Sequence, residues 1–224
     1  MATRTTSPRA RGSSSRLPPA TTVVLVRHGQ TASTGTILPG RAPGLHLADA
    51  GRQQAQRAAQ RIAELARVDA VYSSPLERAR ETAAPIAKAR ALRPHVDRGL
   101  HECDFGEWTG ETLKTLIKRP EWGTVQRAPS TFRFPGGESF SEMQHRIVTT
   151  IDRLRAAHPG GTIVCVSHAD PIKAALAHAL GTHLDLFQRI VISPCAISVV
   201  AYASAPVVLA VNSTGGSLTE LRVS

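Results

Sequence analysis
From Thr21 onward the chain alternates between short apolar runs and stretches with helical spacing. Val23-Val24-Leu25-Val26 is an apolar, largely β-branched run that predicts a strand over 22–26. A Gly/Pro-rich loop, Gly35 to Gly44, follows it. Ala55, Ala59, Ile62 and Ala66 then recur at helical spacing and predict a helix over about 50–66. Ala70-Val71-Tyr72 reads as a short strand. Ser74 as N-cap, Pro75 at the first helical position and Glu77 as capping-box partner open a second helix, which ends near Ala91, before Pro94. The stretch 104–138 is less regular: a short helix over about 111–118 and an irregular flap. A long helix over about 139–157 carries Met143, Ile147, Ile151 and Leu154 on one face. A strand at 162–167, a helix from Pro171 to Leu180 stopped at Gly181, and two closing strands, 196–201 and 207–211, complete the pattern. The closing pair reads as a hairpin at a sheet edge. Alternating strands and helices predict a three-layer α/β/α sandwich with a mostly parallel sheet.

Composition narrows the class. An apolar fraction of 42% is ordinary for a folded soluble domain. No apolar run approaches the ~18 residues a membrane helix needs, so no membrane partner is expected. Cys103, Cys165 and Cys195 are scattered, odd in number and without a CxxC spacing, which indicates neither a zinc ribbon nor a disulfide framework. Reduced cysteines fit a cytoplasmic protein. The formal charge of +10 invites a nucleic-acid reading, but Arg4, Arg9, Arg11 and Arg16 account for four of those charges, leaving +6 beyond residue 20. Aromatics at 4% are poor material for stacking on single-stranded bases, so no specific nucleic acid is expected. A modest positive field suits an enzyme that draws in anions. Residues 1–20, rich in Arg, Ser, Thr and Pro, read as a disordered basic tail. Their composition also resembles a transit peptide, whereas no apolar stretch follows the arginines to make a secretory signal. One folded domain over 21–224 remains.

Candidate chemistry gathers where strands end, the place where ligand crevices lie in α/β folds. The first strand runs into Arg27-His28-Gly29-Gln30-Thr31, and the strand at 162–167 into Ser167-His168-Ala169-Asp170. Two strands that each deliver a histidine at the same end suggest one pocket with two imidazoles and a guanidinium, suited to a phosphoryl group. A neutral imidazole is a good nucleophile toward phosphorus. Arg27 and the Gly29 N–H can bind phosphoryl oxygens, and nearby cations lower the pKa of His28. Ser73-Ser74-Pro75-Leu76-Glu77 places Arg78 on the first turn of a helix, whose N-terminus attracts anions. Glu102, in a loop with glycines and aromatics, is a candidate general acid with a raised pKa. Taken singly, each element also has a plain structural reading: a loop-capping histidine, a surface arginine paired with Glu81 or Thr82, a core histidine, an acidic loop.

Together and in this order, these four elements resemble the histidine phosphatase superfamily, which includes the cofactor-dependent phosphoglycerate mutases. The resemblance covers residues 22–212. It rests on Arg-His-Gly-x-Thr at 27–31, Ser-Ser-Pro-Leu-x-Arg-Ala-x-Glu-Thr at 73–82, Glu-x-x-x-Gly-x-Trp-x-Gly at 102–110 and Ser-His at 167–168. It implies that His28 is phosphorylated during turnover, that Arg27, Arg78 and His168 complete the phosphate pocket, and that Glu102 is the proton donor. Gln30, Thr31, Thr34, Gly40 and Ala169 fall at positions that line the same pocket. Thr34 stands where many members have Asn, Gln30 replaces a common Glu, Ala169 a common Gly, and Phe105 a Tyr of the mutases. The implied activity is that of a metal-independent, acid-type histidine phosphatase, with no cofactor and a small-molecule phosphomonoester as partner. The runs Glu102–Gly110, Phe134–Ser139 and Leu184–Val200 are similar to a subgroup labelled phosphomutases or phosphoglycerate-mutase-like phosphatases.

On this reading the phosphate docks among Arg27, Arg78, His168 and the Gly29 amide, His28 attacks in line, and Glu102 protonates the leaving alkoxide. Three alternatives compete. A phosphoglycerate mutase would return the phosphoryl group to a bound product. Mutases of this family, however, carry a long basic insertion where Gly110 to Ser139 is short and offers Lys114, Lys118, Arg119, Arg127 and Arg133. A non-catalytic phospholigand-binding protein has no need of His28, Arg27, Arg78, His168 and Glu102 together. Metal binding by His168, Asp170, His178 and His183 suffers from the 178/183 spacing, poor for one helix face. The flap at 111–138, with Trp122, Arg127, Phe132, Arg133 and Phe134, is expected to select the substrate. Leu184–Val200 and the hairpin read either as core and edge strand or as a homodimer interface.

Overall fold
Strand order and register decide which residues meet. In the computed structural model, which describes residues 20–221, six strands form one sheet in the order β3-β2-β4-β1-β5-β6. They are β1 Thr21–Arg27, β2 Ala70–Ser73, β3 Pro94–Val96, β4 Thr162–Ser167, β5 Ile197–Tyr202 and β6 Pro206–Ser213. β3, β2, β4 and β1 run parallel, β5 is antiparallel to β1, and β6 is antiparallel to β5. The sheet is mixed, parallel through four strands and finished by the expected hairpin. The tail expected over 1–20 lies, Ala20 apart, outside the described residues.

Helices α1 (Asp49–Ala63) and α2 (Glu77–Ala89) cover one face of the sheet; α5 (Phe140–Ala156) and α6 (Ala169–Ala179) cover the other. Alternation along the strands sorts the side chains. Val24, Val26, Val164 and Val166 join Ala55 and Ile62 of α1 and Ala83 and Ile86 of α2. Val23, Leu25, Ile163 and Cys165 join Met143, Ile147 and Ile151 of α5 and Ile172 and Leu176 of α6. Both faces are thereby buried, as a parallel sheet requires. Two short helices, α3 (Leu113–Leu116) and α4 (Trp122–Arg127), form the flap.

Several expectations are corrected. Ser74 does not cap α2: the helix starts at Glu77 behind Leu76, without a side-chain cap, and Ser74 Oγ, which accepts from the Leu76 N–H only at 3.4 Å, lies 2.8 Å from His168 Nε2. A tertiary partner has outcompeted the local motif. The capping box that does form joins Ser139 and Glu142 at the start of α5. β3 was not anticipated, because its three exposed residues carry no apolar alternation; Pro94 is tolerated at the first position of an edge strand. α6 begins at Ala169, two residues early, with His168 as its N-cap residue. Phe132 and Phe134 are not free flap residues. Both are buried in an aromatic cluster with Trp108 and Phe140. Leu184, Phe187 and Ile192 are core residues, while β6 exposes Val207 and Val211 at the sheet edge. Among the described residues, no helix is long and apolar enough to cross a membrane.

Candidate active site
Three parallel strands end side by side. Arg27 of β1 pairs with Ser167 of β4, and Ser73 of β2 with Val166, so the next residues along each strand, His28, His168 and Ser74, emerge together. His28 N donates to the Ser167 carbonyl and Ser74 N to the Val166 carbonyl, both at 2.9 Å. The two imidazoles lie with ring centroids 5.1 Å apart.

His28 is oriented by its own turn. Its Nδ1 is 2.7 Å from the Gly29 carbonyl, which can only accept, so the ring proton sits on Nδ1 and Nε2 keeps its lone pair. Arg78 Nε donates toward that Nε2 at 3.3 Å. Burial, then the charges of Arg78 and Arg27, push the His28 pKa down to about 3, leaving a neutral imidazole near pH 7. Arg78 is fully buried, and its Nη2 donates to the Gly40 carbonyl at 2.8 Å. Gly40 adopts a φ of +50°, and a Cβ there would stand 2.8 Å from Thr109 Oγ1, so glycine is what lets this loop present its carbonyl.

Arg27 Nη1 donates to the Ile192 carbonyl at 2.7 Å. Burial drives the His168 pKa well below the usual imidazole value. Among the described residues, six buried side-chain nitrogen or oxygen atoms lack a hydrogen-bond partner, and three of them belong to this cluster: Arg27 Nε, Arg78 Nη1 and His168 Nδ1. Buried polar atoms are nearly always paired, and the two guanidinium nitrogens can only donate. An oxyanion satisfies donors of this kind.

Glu102 is 7% exposed. Its Oε1 accepts from Cys103 N–H at 3.0 Å, and Oε2 lies 3.9 Å from His168 Nδ1. Burial first, and the Asp170 charge second, raise its pKa to about 7 against the opposing pull of Arg78 and Arg27. Its backbone carbonyl accepts from Arg41 Nε at 2.9 Å and from Arg146 Nη2 at 3.2 Å. Glu138 joins the two guanidinium groups, at 2.8 Å from Arg41 Nη2 and 2.8 Å from both Arg146 Nε and Nη2. Sequence reasoning gave Arg41, Glu138 and Arg146 no role. The available signal was adjacency: Arg41 follows Gly40, and Glu138 follows the Gly136-Gly137 pair.

The remaining expected residues divide. The Gly29 N–H is engaged by Thr82 Oγ1 at 3.0 Å, and a Cβ on Gly29 would lie 2.6 Å from the Gly51 carbonyl. Gly29 therefore admits the start of α1, and its N–H is not a free donor here. Gln30 is exposed, with its N–H on Gln54 Oε1 at 2.9 Å. Thr31 is buried and bonded to Thr34 through its N–H, at 2.8 Å, and its hydroxyl, at 3.0 Å. Ala169 is half-buried on the first turn of α6. Arg133 pairs with Glu142. Among the described residues, no group of three or more His, Cys, Asp or Glu side chains is placed to hold a metal, so His168, Asp170, His178 and His183 do not converge.

Residues 23–214 match the model of the histidine phosphatase superfamily, branch 1, and the chain belongs to that superfamily. It is 36% identical to a bifunctional protein of Mycobacterium tuberculosis over 92% of this chain, and spans 56% of that protein's length. It is 32% identical to phosphoserine phosphatase 1 of Hydrogenobacter thermophilus, covering 74% of this chain and 79% of that one. It also superposes on the phosphoserine phosphatase of Entamoeba histolytica, solved in complex with 3-phosphoglyceric acid, with a TM-score of 0.78 at 28% identity, covering 86% of this chain and 97% of the other.

Proposed function
We propose that this chain is a phosphomonoester hydrolase that works through a phosphohistidine on His28. The observation that carries this reading is the state of the His28 ring, neutral and protonated on Nδ1, with Nε2 beside Arg78. Arg27 Nε, Arg78 Nη1 and His168 Nδ1 supply the unmatched buried nitrogens that meet the phosphoryl oxygens. Nε2 attacks phosphorus in line and the ester P–O bond breaks. Glu102, protonated, gives its proton to the leaving alkoxide. Water then attacks phospho-His28, Glu102 takes its proton, and the P–N bond breaks to return the lone pair to Nε2.

The scheme draws on no metal, so activity should survive exhaustive dialysis against EDTA. Three free, buried cysteines support a reducing, cytoplasmic setting. Brief mixing with a 32P-labelled monoester, then quenching in alkali, should trap label on the wild-type chain and none on His28→Ala. A His28→Ala protein that turns over p-nitrophenyl phosphate at the wild-type rate would overturn the assignment. The mutase reading is separated by assaying 3-phosphoglycerate with and without 2,3-bisphosphoglycerate; hydrolysis without isomerisation is expected.

A further inference from the structure
A cavity of about 240 Å³ lies beneath the flap, and two of its lining residues, Phe105 and Asp170, tie it to the phosphate cluster. Phe105, on its wall, has a ring carbon 3.2 Å from where a Cβ on Gly40 would stand, and Gly40 holds Arg78. Asp170, also on its wall, is near enough to Glu102 for its charge to act on that carboxyl. Leu38, Leu113, Trp122 and Val125 make the lining mainly apolar.

Charge is balanced there. Lys173 is the one cation among the lining residues, and its Nζ is 3.1 Å from Asp170 and 3.0 Å from Gln188. The flap's own basic residues are not part of the wall. Arg119 lies over the Trp108 ring at 5.3 Å and faces Glu111, Arg133 pairs with Glu142, and Lys114, Lys118 and Arg127 are exposed. A carboxylate entering the cavity would lose water and find no unpaired cation, a net cost. An uncharged ring would lose nothing of that kind. An apolar cavity of about 150 Å³ is enough to hold benzene.

Resting on the hydrolase reading above, we propose that this cavity receives the leaving group, and that the substrate is the phosphate ester of an uncharged, mainly apolar alcohol of ring size. Phosphoserine and 3-phosphoglycerate are then poor substrates, in contrast to the substrate named for two of the relatives.

The test compares alkyl esters of similar intrinsic reactivity. Phosphate release from cyclohexyl phosphate should exceed that from O-phosphoserine and 3-phosphoglycerate in kcat/KM by on the order of 30-fold. Leu113→Arg, which brings a cation to the wall, should reduce that ratio about tenfold. Trp122→Ala is the second variant: KM for cyclohexyl phosphate should rise about tenfold and KM for phosphoserine should stay. Equal or reversed preference in the wild-type protein overturns the proposal while leaving the hydrolase reading intact. Failure to hydrolyse any ester overturns the hydrolase reading instead. In that event the chain's two tryptophans, Trp108 and Trp122, both on the cavity wall, report binding directly. A saturable fluorescence change with cyclohexyl phosphate, larger than with phosphoserine or inorganic phosphate, supports the cavity assignment; its absence removes it.

Discussion

Arg78 Nε stands 3.3 Å from His28 Nε2, while Nη2 of the same guanidinium is anchored on the Gly40 carbonyl at 2.8 Å. One buried cation thus touches the proposed nucleophile and is fixed by a loop on its other side. After burial, its charge is what keeps the imidazole unprotonated, and in the proposed mechanism it would stay in place as phosphoryl charge develops. Arg78→Gln should lower kcat/KM for p-nitrophenyl phosphate by about 10²–10³-fold. With the cation gone, the acidic limb of the pH profile, set by a His28 pKa of about 3, should move upward. Steady-state rates between pH 3 and pH 8 read both effects.

Glu102 must carry a proton to act as an acid. With its pKa raised to about 7, turnover of esters with poor leaving groups should fall as pH rises through 7. Glu102→Gln should abolish that alkaline limb and slow alkyl esters by about 10²–10⁴-fold, with p-nitrophenyl phosphate much less affected. Comparable losses on the two ester types would remove Glu102 from the acid role.

The same carboxyl should cost stability. Its folded pKa, about 7, lies above the ordinary value of 4.5, so the folded state holds the proton more tightly and stability declines as pH rises from 4.5 to 7. Glutamine cannot ionise. Glu102→Gln should therefore be more stable than the wild type at pH 8, by on the order of 2 kcal/mol or roughly 5 °C in Tm, with the gap closing near pH 4.5. Thermal melts at the two pH values check the sign.

Glu138 holds Arg41 and Arg146, which both donate to the Glu102 carbonyl, and its Oε2 also accepts from the Asp104 N–H of the same loop at 3.0 Å. Loosening that clamp should misplace the acid without touching the phosphate donors. Glu138→Gln is expected to reduce kcat for alkyl phosphates about tenfold, with KM and p-nitrophenyl phosphate turnover little changed. A uniform loss on all esters, with a raised KM, would show a general loosening instead.

Much of this arrangement was legible in the residues. The β-branched run at 23–26 and the Arg-His-Gly after it could be read locally, because a strand buried on both faces leaves a continuous apolar signature. The convergence of His28, Arg78, His168 and Glu102 followed from strand ends and from family resemblance. What escaped was tertiary. Ser74 looked like a helix cap because Ser-x-x-Glu is a local pattern, but its hydroxyl is claimed by His168, a residue far along the chain. The Gly29 N–H looked free because nothing nearby in sequence could take it; Thr82 does, from α2. Phe132 and Phe134 looked like flap residues because Pro and Gly surround them, whereas their rings complete an aromatic core. Arg41, Glu138 and Arg146 come from three separate segments, and no spacing rule connects them.

The strand that leads into His28 pairs with strands far along the chain: Thr22 lies between Thr162 and Ala201. Within this domain it is therefore made well before either of the strands that pair with it. Until Ser167 has emerged this β-branched stretch has both edges open, and one edge stays open until Tyr202 follows, the kind of segment that seeds aggregation. Pairings of such long range also slow folding. A fragment ending before β4, such as residues 20–150, should accordingly precipitate rather than fold, and production of this domain should depend on keeping its first strand shielded until β4 and β5 have been made.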